Sequence, residues 1–138
     1  DWYKDIWDDV IDNIRNKVPG TLPSSAPRQN YQLSVGITGI SAIAKISKQK
    51  NNCFIGYYIE KQQSSTLYPK LLAVKDLLED ILGKLEWQYN EGHYGVAKIS
   101  KSFSDLSDSE ERDKLIEMIS ETLPEFYNAI IPLIEKLR

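Results

Sequence analysis

The first candidate site in the sequence is that of a metal-dependent nuclease. Such a site needs an aspartate and a Glu-x-Lys motif on adjacent strands, which together hold a divalent ion and activate a water molecule. The closest string here is Asp80 followed by Glu86-Trp87-Gln88. Asp80 falls near the end of a predicted helix, and Gln88 replaces the lysine. We therefore expect no catalytic residue and no metal ligand in this string, and Glu86 to be an ordinary outward-facing strand residue.

The one histidine and the one cysteine suggest no other reaction. His93 lies in a predicted turn, and no recognisable motif supplies a nucleophile for a histidine-based triad. Cys53 begins an apolar strand, a position typical of a buried and inert thiol. A single cysteine also excludes an internal disulfide and a cysteine zinc cluster. We expect the domain to need no cofactor.

Two other motifs have structural explanations. Asp5, Asp8, Asp9 and Asp12 lie at helical spacing, but the stripe lacks the backbone carbonyls and the loop of a calcium site. It is typical of a solvated helix face near a helix N-terminus. The Gly-x-x-Gly motif at residues 36–39 is similar to a nucleic-acid-binding KH loop, yet it connects predicted strands rather than helices. We expect it to be a turn.

The distribution of charge favours a phosphate-binding surface. The chain carries a net charge of −3, yet residues 28–75 contain seven basic residues and one acidic residue. That segment is therefore +6 and the remainder is −9, so a basic hairpin can attract phosphates locally. The candidate nucleic-acid-binding residues are Arg28, Lys45, Lys48, Lys50 and Lys61. The alternative is that these lysines only decorate a hairpin tip and protect an edge strand from aggregation.

The hydrophobic periodicity predicts the elements that carry these residues. Helical spacing predicts helices over residues 1–18, 64–82 and 107–137, and alternation predicts strands over residues 31–37, 40–47, 53–60, 85–89 and 94–100. The middle helix has its apolar stripe at Leu67, Leu71, Val74, Leu78 and Ile81, with Pro69 in its first turn. The last begins with a Ser107–Glu110 capping box, and Pro124 predicts a kink or break near Thr122–Leu123.

These elements predict an α+β fold in the order α-βββ-α-ββ-α, with the last helix split. An antiparallel sheet of about five strands would carry the amphipathic helices mainly on one face. The predicted helical core residues are Trp2, Ile6, Val10, Leu71, Leu78, Ile119 and Phe126.

The 138 residues predict one domain over 1–138. Because the sequence begins at Asp1 without a methionine, we expect a C-terminal fragment of a longer protein. No apolar run is long enough for a membrane span, no signal peptide is present, and one cysteine fits a reducing compartment. We therefore expect a cytoplasmic protein without membrane contact.

Three segments carry a family resemblance. Gly36-Ile37-Thr38-Gly39 is followed by Lys75, Glu79, Gly83, Leu85 and Trp87 within KDLLEDILGKLEWQ, and then by ERDKLIEMISETLPEFYNAIIPLIEKL. Over most of residues 1–137 the chain resembles an uncharacterised bacterial and archaeal domain family, often found C-terminal to PD-(D/E)xK nuclease-like modules. The resemblance implies a nuclease module in the same polypeptide as a partner, and it carries over no catalytic residue.

Three functions remain open from the sequence. The first is a non-catalytic accessory domain of a DNA-processing or phage-defence protein, in which the basic hairpin contacts the nucleic-acid backbone. The second is a protein-interaction or homodimerisation module, with the acidic first helix and the tyrosine-rich strands as its contact surface. The third and weakest is a metal-dependent nuclease.

Overall fold

The structure is a computed structural model that describes residues 1–138. Its strands are β1 (Asn30–Ser34), β2 (Ile40–Ser47), β3 (Asn52–Ile59), β4 (Glu86–Tyr89) and β5 (Gly95–Ser102). Its helices are α1 (Trp2–Ile14), α2 (Lys61–Ala73), α3 (Lys75–Leu82), α4 (Ser109–Ile130) and α5 (Ile134–Leu137). The predicted α+β class and element order are confirmed. None of these helices is long and apolar enough to cross a membrane.

The five strands form one antiparallel sheet in the order β1-β2-β3-β5-β4. The first three strands are consecutive hairpins, whereas β5 pairs with β3 and places β4 at the far edge. Gly56 in β3 makes this central pairing possible, because a Cβ at that position would lie 2.7 Å from the Cβ of Lys98 on β5. Two neighbouring backbones can approach this closely only where one side chain is missing.

The helices cover one face of the sheet. The Tyr57 hydroxyl donates a hydrogen bond of 2.6 Å to the Phe126 carbonyl of α4, and Trp7 of α1 stacks on Tyr31 with centroids 5.7 Å apart. Tyr68 of α2 stacks on Tyr89 of β4 at 4.8 Å. All three sheet residues lie on the same side in the strand register. The opposite side carries no helix and is called the open face below.

The predicted helical core is confirmed at every position except Trp2. Ile6, Val10, Leu71, Leu78, Ile119 and Phe126 each have no exposed surface. Trp2 is only half-buried, because it lies in the first turn of α1, where its ring meets Tyr3 edge-on and lies under the ammonium group of Lys48. The prediction for Trp2 was wrong because helical periodicity does not tell where a helix extends past the core.

The middle helical segment differs from the prediction in its start and its continuity. It begins at Lys61 instead of Ser64, so Pro69 lies inside α2 rather than in its first turn. The segment also breaks at Val74, whose φ of −104° and ψ of 15° are not helical and whose N–H bonds to the Leu71 carbonyl. Leu71, Val74 and Leu78 keep their predicted burial across the break, whereas Ile81 is 62% exposed. The prediction of Ile81 as a buried residue was therefore wrong.

The last helix passes through Pro124 without the predicted break near Thr122–Leu123. Because a proline has no N–H, the carbonyl four residues before it loses its helical partner. That carbonyl belongs to Ser120, and it accepts a hydrogen bond of 3.3 Å from the Lys17 ammonium group instead. The helix ends later, at a 3-10 turn over Ile131–Leu133 that contains Pro132.

The cap of α4 also differs from the predicted box. Asp108 is the N-cap, and its carboxylate accepts from the Glu110 N–H at 3.1 Å. Glu111 reaches back to accept hydrogen bonds from the Ser104 N–H and hydroxyl. These bonds lower the pKa of Glu111. The helix start is therefore fixed by Asp108 and Glu111, each one residue after a member of the predicted pair.

Candidate nucleic-acid interface

The turn between β2 and β3, which carries Lys48 and Lys50, is held in place by three hydrogen bonds with distant residues. Asn51 has a φ of 52°, which an asparagine tolerates better than most side chains. Its carbonyl accepts from the Phe103 N–H at 2.8 Å, and its side-chain oxygen accepts from the Leu106 N–H at 2.8 Å. The Lys48 N–H donates to the Tyr3 hydroxyl of α1 at 3.0 Å. The turn is thus fastened both to α1 and to the segment after β5.

The structure brings four of the five predicted basic residues to one end of the sheet. Lys45 lies near the end of β2, and Lys48 and Lys50 lie in the turn that follows. Arg28 precedes β1 at the same end, because the Gln29 carbonyl accepts from the Ile46 N–H at 2.8 Å. The Arg28 carbonyl is itself fixed by the Trp7 indole N–H at 2.7 Å. These four residues, Arg28, Lys45, Lys48 and Lys50, are called the basic end.

Lys61 is not part of the basic end. It follows β3 after Ile59, which pairs with Ile40 at the opposite end of β2. Since a strand rises about 3.4 Å per residue, the length of β2 separates Lys61 from the basic end by about 24 Å. Sequence proximity had grouped Lys61 with the hairpin, but the hairpin runs the length of the sheet before Lys61 is reached.

No carboxylate neutralises the basic end. The ion pairs of 4.0 Å or less involve the N-terminus, Lys4, Arg15, Arg112, Lys114 and Arg138, and none of the four basic-end residues. Lys48 places its ammonium group 5.1 Å from the Trp2 ring centroid, a cation–π distance. Uncompensated ammonium and guanidinium groups at one end of a sheet are available to phosphates.

Strand β5 adds cations that the sequence had not assigned to this surface. Lys98 lies on the open face with its ammonium group 4.7 Å from the Phe54 ring centroid. Lys101, near the end of β5, lies 5.5 Å from the centroid of Phe103. Three lysine–aromatic pairs therefore surround this part of the sheet. The signal in the sequence was the alternation in β5, but only the pairing of β5 with β3 puts its lysines beside the hairpin.

The remaining candidate residues lie apart from one another. Cys53 is 2% exposed, and burial raises the pKa of its thiol to about 12. His93 is exposed in the β4–β5 turn, beside a hollow of about 570 Å³ whose other lining residues are Trp87, Gln88, Tyr89, Asn90 and Tyr94. None of the residues that line this hollow is a serine, cysteine or lysine that could act as a nucleophile beside His93. The motif at residues 36–39 is a turn, with positive φ at Gly36 and Gly39.

The acidic residues form surface pairs. Asp5 lies in the first turn of α1, and Asp8, Asp9 and Asp12 pair with Lys4, Arg112 and Arg15 respectively. A hydrogen bond from the Ser25 hydroxyl, with a second from Lys4, lowers the pKa of Asp8. No group of three or more histidine, cysteine, aspartate and glutamate side chains is placed to hold a metal ion.

The comparisons with known proteins give one match. The model of the family described as "Domain of unknown function (DUF4268)" matches residues 2–134. No curated protein and no solved structure matches the chain.

Proposed function

The chain belongs to the DUF4268 family of domains of unknown function, and on that premise we propose that it is a non-catalytic accessory domain of a DNA-processing or phage-defence protein. In this role the basic end contacts the nucleic-acid backbone, and a nuclease module of the same polypeptide performs the chemistry. The sequence resemblance to domains that follow nuclease-like modules supports the setting. Arg28, Lys45, Lys48 and Lys50, grouped at one end of the sheet without a carboxylate partner, carry the proposal.

Binding of this type is electrostatic and independent of sequence. Contacts between lysines and phosphates give dissociation constants on the order of 10⁻⁴–10⁻⁶ M at physiological salt. Each phosphate contact that is lost lowers the slope of log affinity against log salt by about 0.9 for duplex DNA. The net charge of −3 does not oppose this binding strongly, because charges farther away than about 8 Å are largely screened at physiological ionic strength.

The test is fluorescence anisotropy with a short labelled duplex at several salt concentrations. The variant combines Lys45→Gln, Lys48→Gln and Lys50→Gln, and we expect its salt slope to be smaller by about 2–3. The matched control combines Lys61→Gln, Lys84→Gln and Lys136→Gln, which removes the same charge from three exposed lysines away from the basic end.

An equal loss in both triple variants would mean that only the total charge matters, and it would contradict the assignment of the surface. A wild-type protein that binds no nucleic acid at low salt would reject the function itself.

A protein-interaction module is the second candidate, and a different surface favours it. The acidic residues of α1 are engaged in surface pairs, whereas the large exposed apolar side chains include Leu72, Leu77, Ile81 and Ile131. Leu77 and Ile81 lie one turn apart on α3, so they share one helix face. Light scattering over a range of protein concentrations tests this candidate. Self-association that is lost in Ile81→Lys would support it, and a concentration-independent monomer mass would reject homodimerisation.

A further inference from the structure

The open face of the sheet has the composition of a polar platform with an apolar centre. Its edges and ends carry amides and hydroxyls, from residues Asn30, Gln32, Ser34, Ser41, Ser47, Asn52, Gln88, Ser100 and Ser102. Its only carboxylate is Glu86, the direct cross-strand neighbour of Lys98 on the edge strand β4. Its two lysines, Lys45 and Lys98, have no carboxylate within 4.0 Å. Electrostatically, the face favours an anion over a cation or an acidic protein surface.

Three aromatic side chains define the platform, two on β3 and one just before β5. Phe54, Gly56 and Tyr58 occupy successive open-face positions, so the two rings stand about 13 Å apart on either side of a residue with no side chain. Tyr58 stacks on Tyr94 with centroids 5.4 Å apart, and Tyr94 is 55% exposed. The helices reach neither Phe54 nor Tyr58, since both lie on the face opposite to Tyr57.

The floor between the rings is apolar and is separate from the helical core. Ile43 lies opposite Gly56 on β2 and Val96 lies opposite Tyr58 on β5, and each is 3% exposed although neither belongs to the main core cluster. Their neighbours on the open face bury them. The rings therefore stand over buried apolar side chains in the middle of a polar surface.

Phe54 stands between two cations. Lys45 is its direct cross-strand neighbour on β2, and the Lys98 ammonium group lies 4.7 Å from its ring centroid. A shallow hollow of about 290 Å³ extends from this ring to the turn, and its lining includes Lys45, Lys50 and Asn52. The open face is therefore continuous with the basic end, and a chain of phosphates could pass from one to the other.

We infer that this platform binds single-stranded nucleic acid, with an unpaired base stacked on Phe54 and the flanking phosphates at Lys45 and Lys98. This inference rests on the proposed function and names the form of its ligand. An aromatic ring between two lysines matches a nucleotide, which has an apolar base face and an anionic phosphate on either side. A duplex has its base faces covered by stacking and would leave the ring without a partner. In the free protein Lys98 lies over the ring, and its flexible side chain can move to a phosphate when a base takes that place.

The experiment compares three labelled probes of mixed sequence: a 12-nucleotide DNA strand, the same sequence as RNA, and the DNA duplex. We expect wild type to bind at least one single strand more tightly than the duplex. Phe54→Leu removes the aromatic face while keeping an apolar side chain, so we expect about a tenfold loss of single-strand affinity. Its salt slope should remain that of wild type, because no phosphate contact is removed. Phe54→Trp should retain the affinity and add fluorescence quenching when a base stacks on the indole.

The control is Tyr127→Leu, which removes a half-buried aromatic ring of α4 on the helical side. We expect it to bind the single strands like wild type. Thermal unfolding of each variant establishes that it folds. Binding that is lost equally in Phe54→Leu and Tyr127→Leu would overturn the inference.

The outcomes also separate this inference from the function on which it rests. If Phe54→Leu binds single strands like wild type while the basic-end triple variant is weakened, the backbone contact stands and the stacking platform is rejected. Equal affinity of wild type for the duplex and both single strands would reject it too. If wild type binds none of the three probes at low salt, the proposed function itself is rejected. A preference between the DNA and RNA strands identifies the type of strand.

Discussion

Two neighbouring leucines of α3 allow the helix phase to be tested with an internal control. Leu78 has no exposed surface, whereas Leu77 is 48% exposed on the same helix. Truncating a fully buried leucine to alanine costs about 2–5 kcal/mol, from lost transfer energy and the cavity left behind. Burying a whole leucine contributes about 1.5–3 kcal/mol, so the half-exposed Leu77 should lose no more than about 1 kcal/mol. The intrinsic change in helix propensity is the same at both positions and cancels in the comparison.

The assay is urea unfolding followed by circular dichroism on Leu77→Ala and Leu78→Ala. With a slope of about 2 kcal/mol per molar urea, Leu78→Ala should lower the midpoint by about 1–2.5 M. Leu77→Ala should lower it by no more than about 0.5 M. Equal shifts in the two variants would refute the phase of α3. Leu77→Ala also serves the light-scattering experiment, because it removes exposed apolar surface with little effect on folding.

Three further predictions concern single side chains. Burial raises the pKa of Cys53 to about 12. The thiol should therefore stay protonated at pH 8 and react with a disulfide reagent only after unfolding in urea. Stoichiometric reaction of the folded protein within seconds would contradict this prediction. A hydrogen bond from the Leu85 N–H, with a second from the Trp87 indole, lowers the pKa of Glu79 below its usual 4.5. The Glu79 carboxylate therefore stabilises the fold above pH 4.5, and this contribution is lost as the pH falls through the folded-state pKa. The difference in unfolding free energy between wild type and Glu79→Gln should therefore be larger at pH 7 than at pH 3, and the opposite trend would show that the carboxylate is not stabilised in the folded state. With magnesium or manganese the chain should not cleave plasmid DNA, whereas cleavage that disappears in Glu86→Ala would establish the nuclease alternative.

The local pattern was sufficient to predict most elements of this fold. The alternation in residues 40–47 predicts β2 with its observed bounds, and the helical spacing places Ile6, Leu71 and Ile119 in the core. These predictions succeed because side-chain direction has a period of 2 in a strand and 3.6 in a helix. The residues that share a buried face therefore recur at a fixed spacing within a short stretch of sequence. The excess of basic residues between residues 28 and 75 was also visible in the sequence, because it is a count of charges along one continuous segment.

Contacts distant in sequence decided the rest. A proline predicts a broken helix, but Lys17, from the other end of the chain, supplies the hydrogen bond that the Ser120 carbonyl loses to Pro124. No local pattern contains that donor. The break at Val74 was likewise absent from the local pattern, because Leu71, Val74 and Leu78 keep the spacing of one uninterrupted helix and are all buried.

The sequence predicted one part of the candidate site, and only the tertiary structure revealed the other. Sequence alone predicted that Lys45, Lys48 and Lys50 lie together on the β2–β3 hairpin, because a hairpin is a local structure. Only the tertiary structure placed Lys61 at the far end of the sheet and inserted β5 between β3 and β4, which brings Lys98 onto Phe54. Strand order in a sheet depends on how the strands and helices of the whole domain bury their apolar faces against one another. That quantity depends on the whole chain, so the surface that joins Phe54 to the basic end exists only once the sheet has formed.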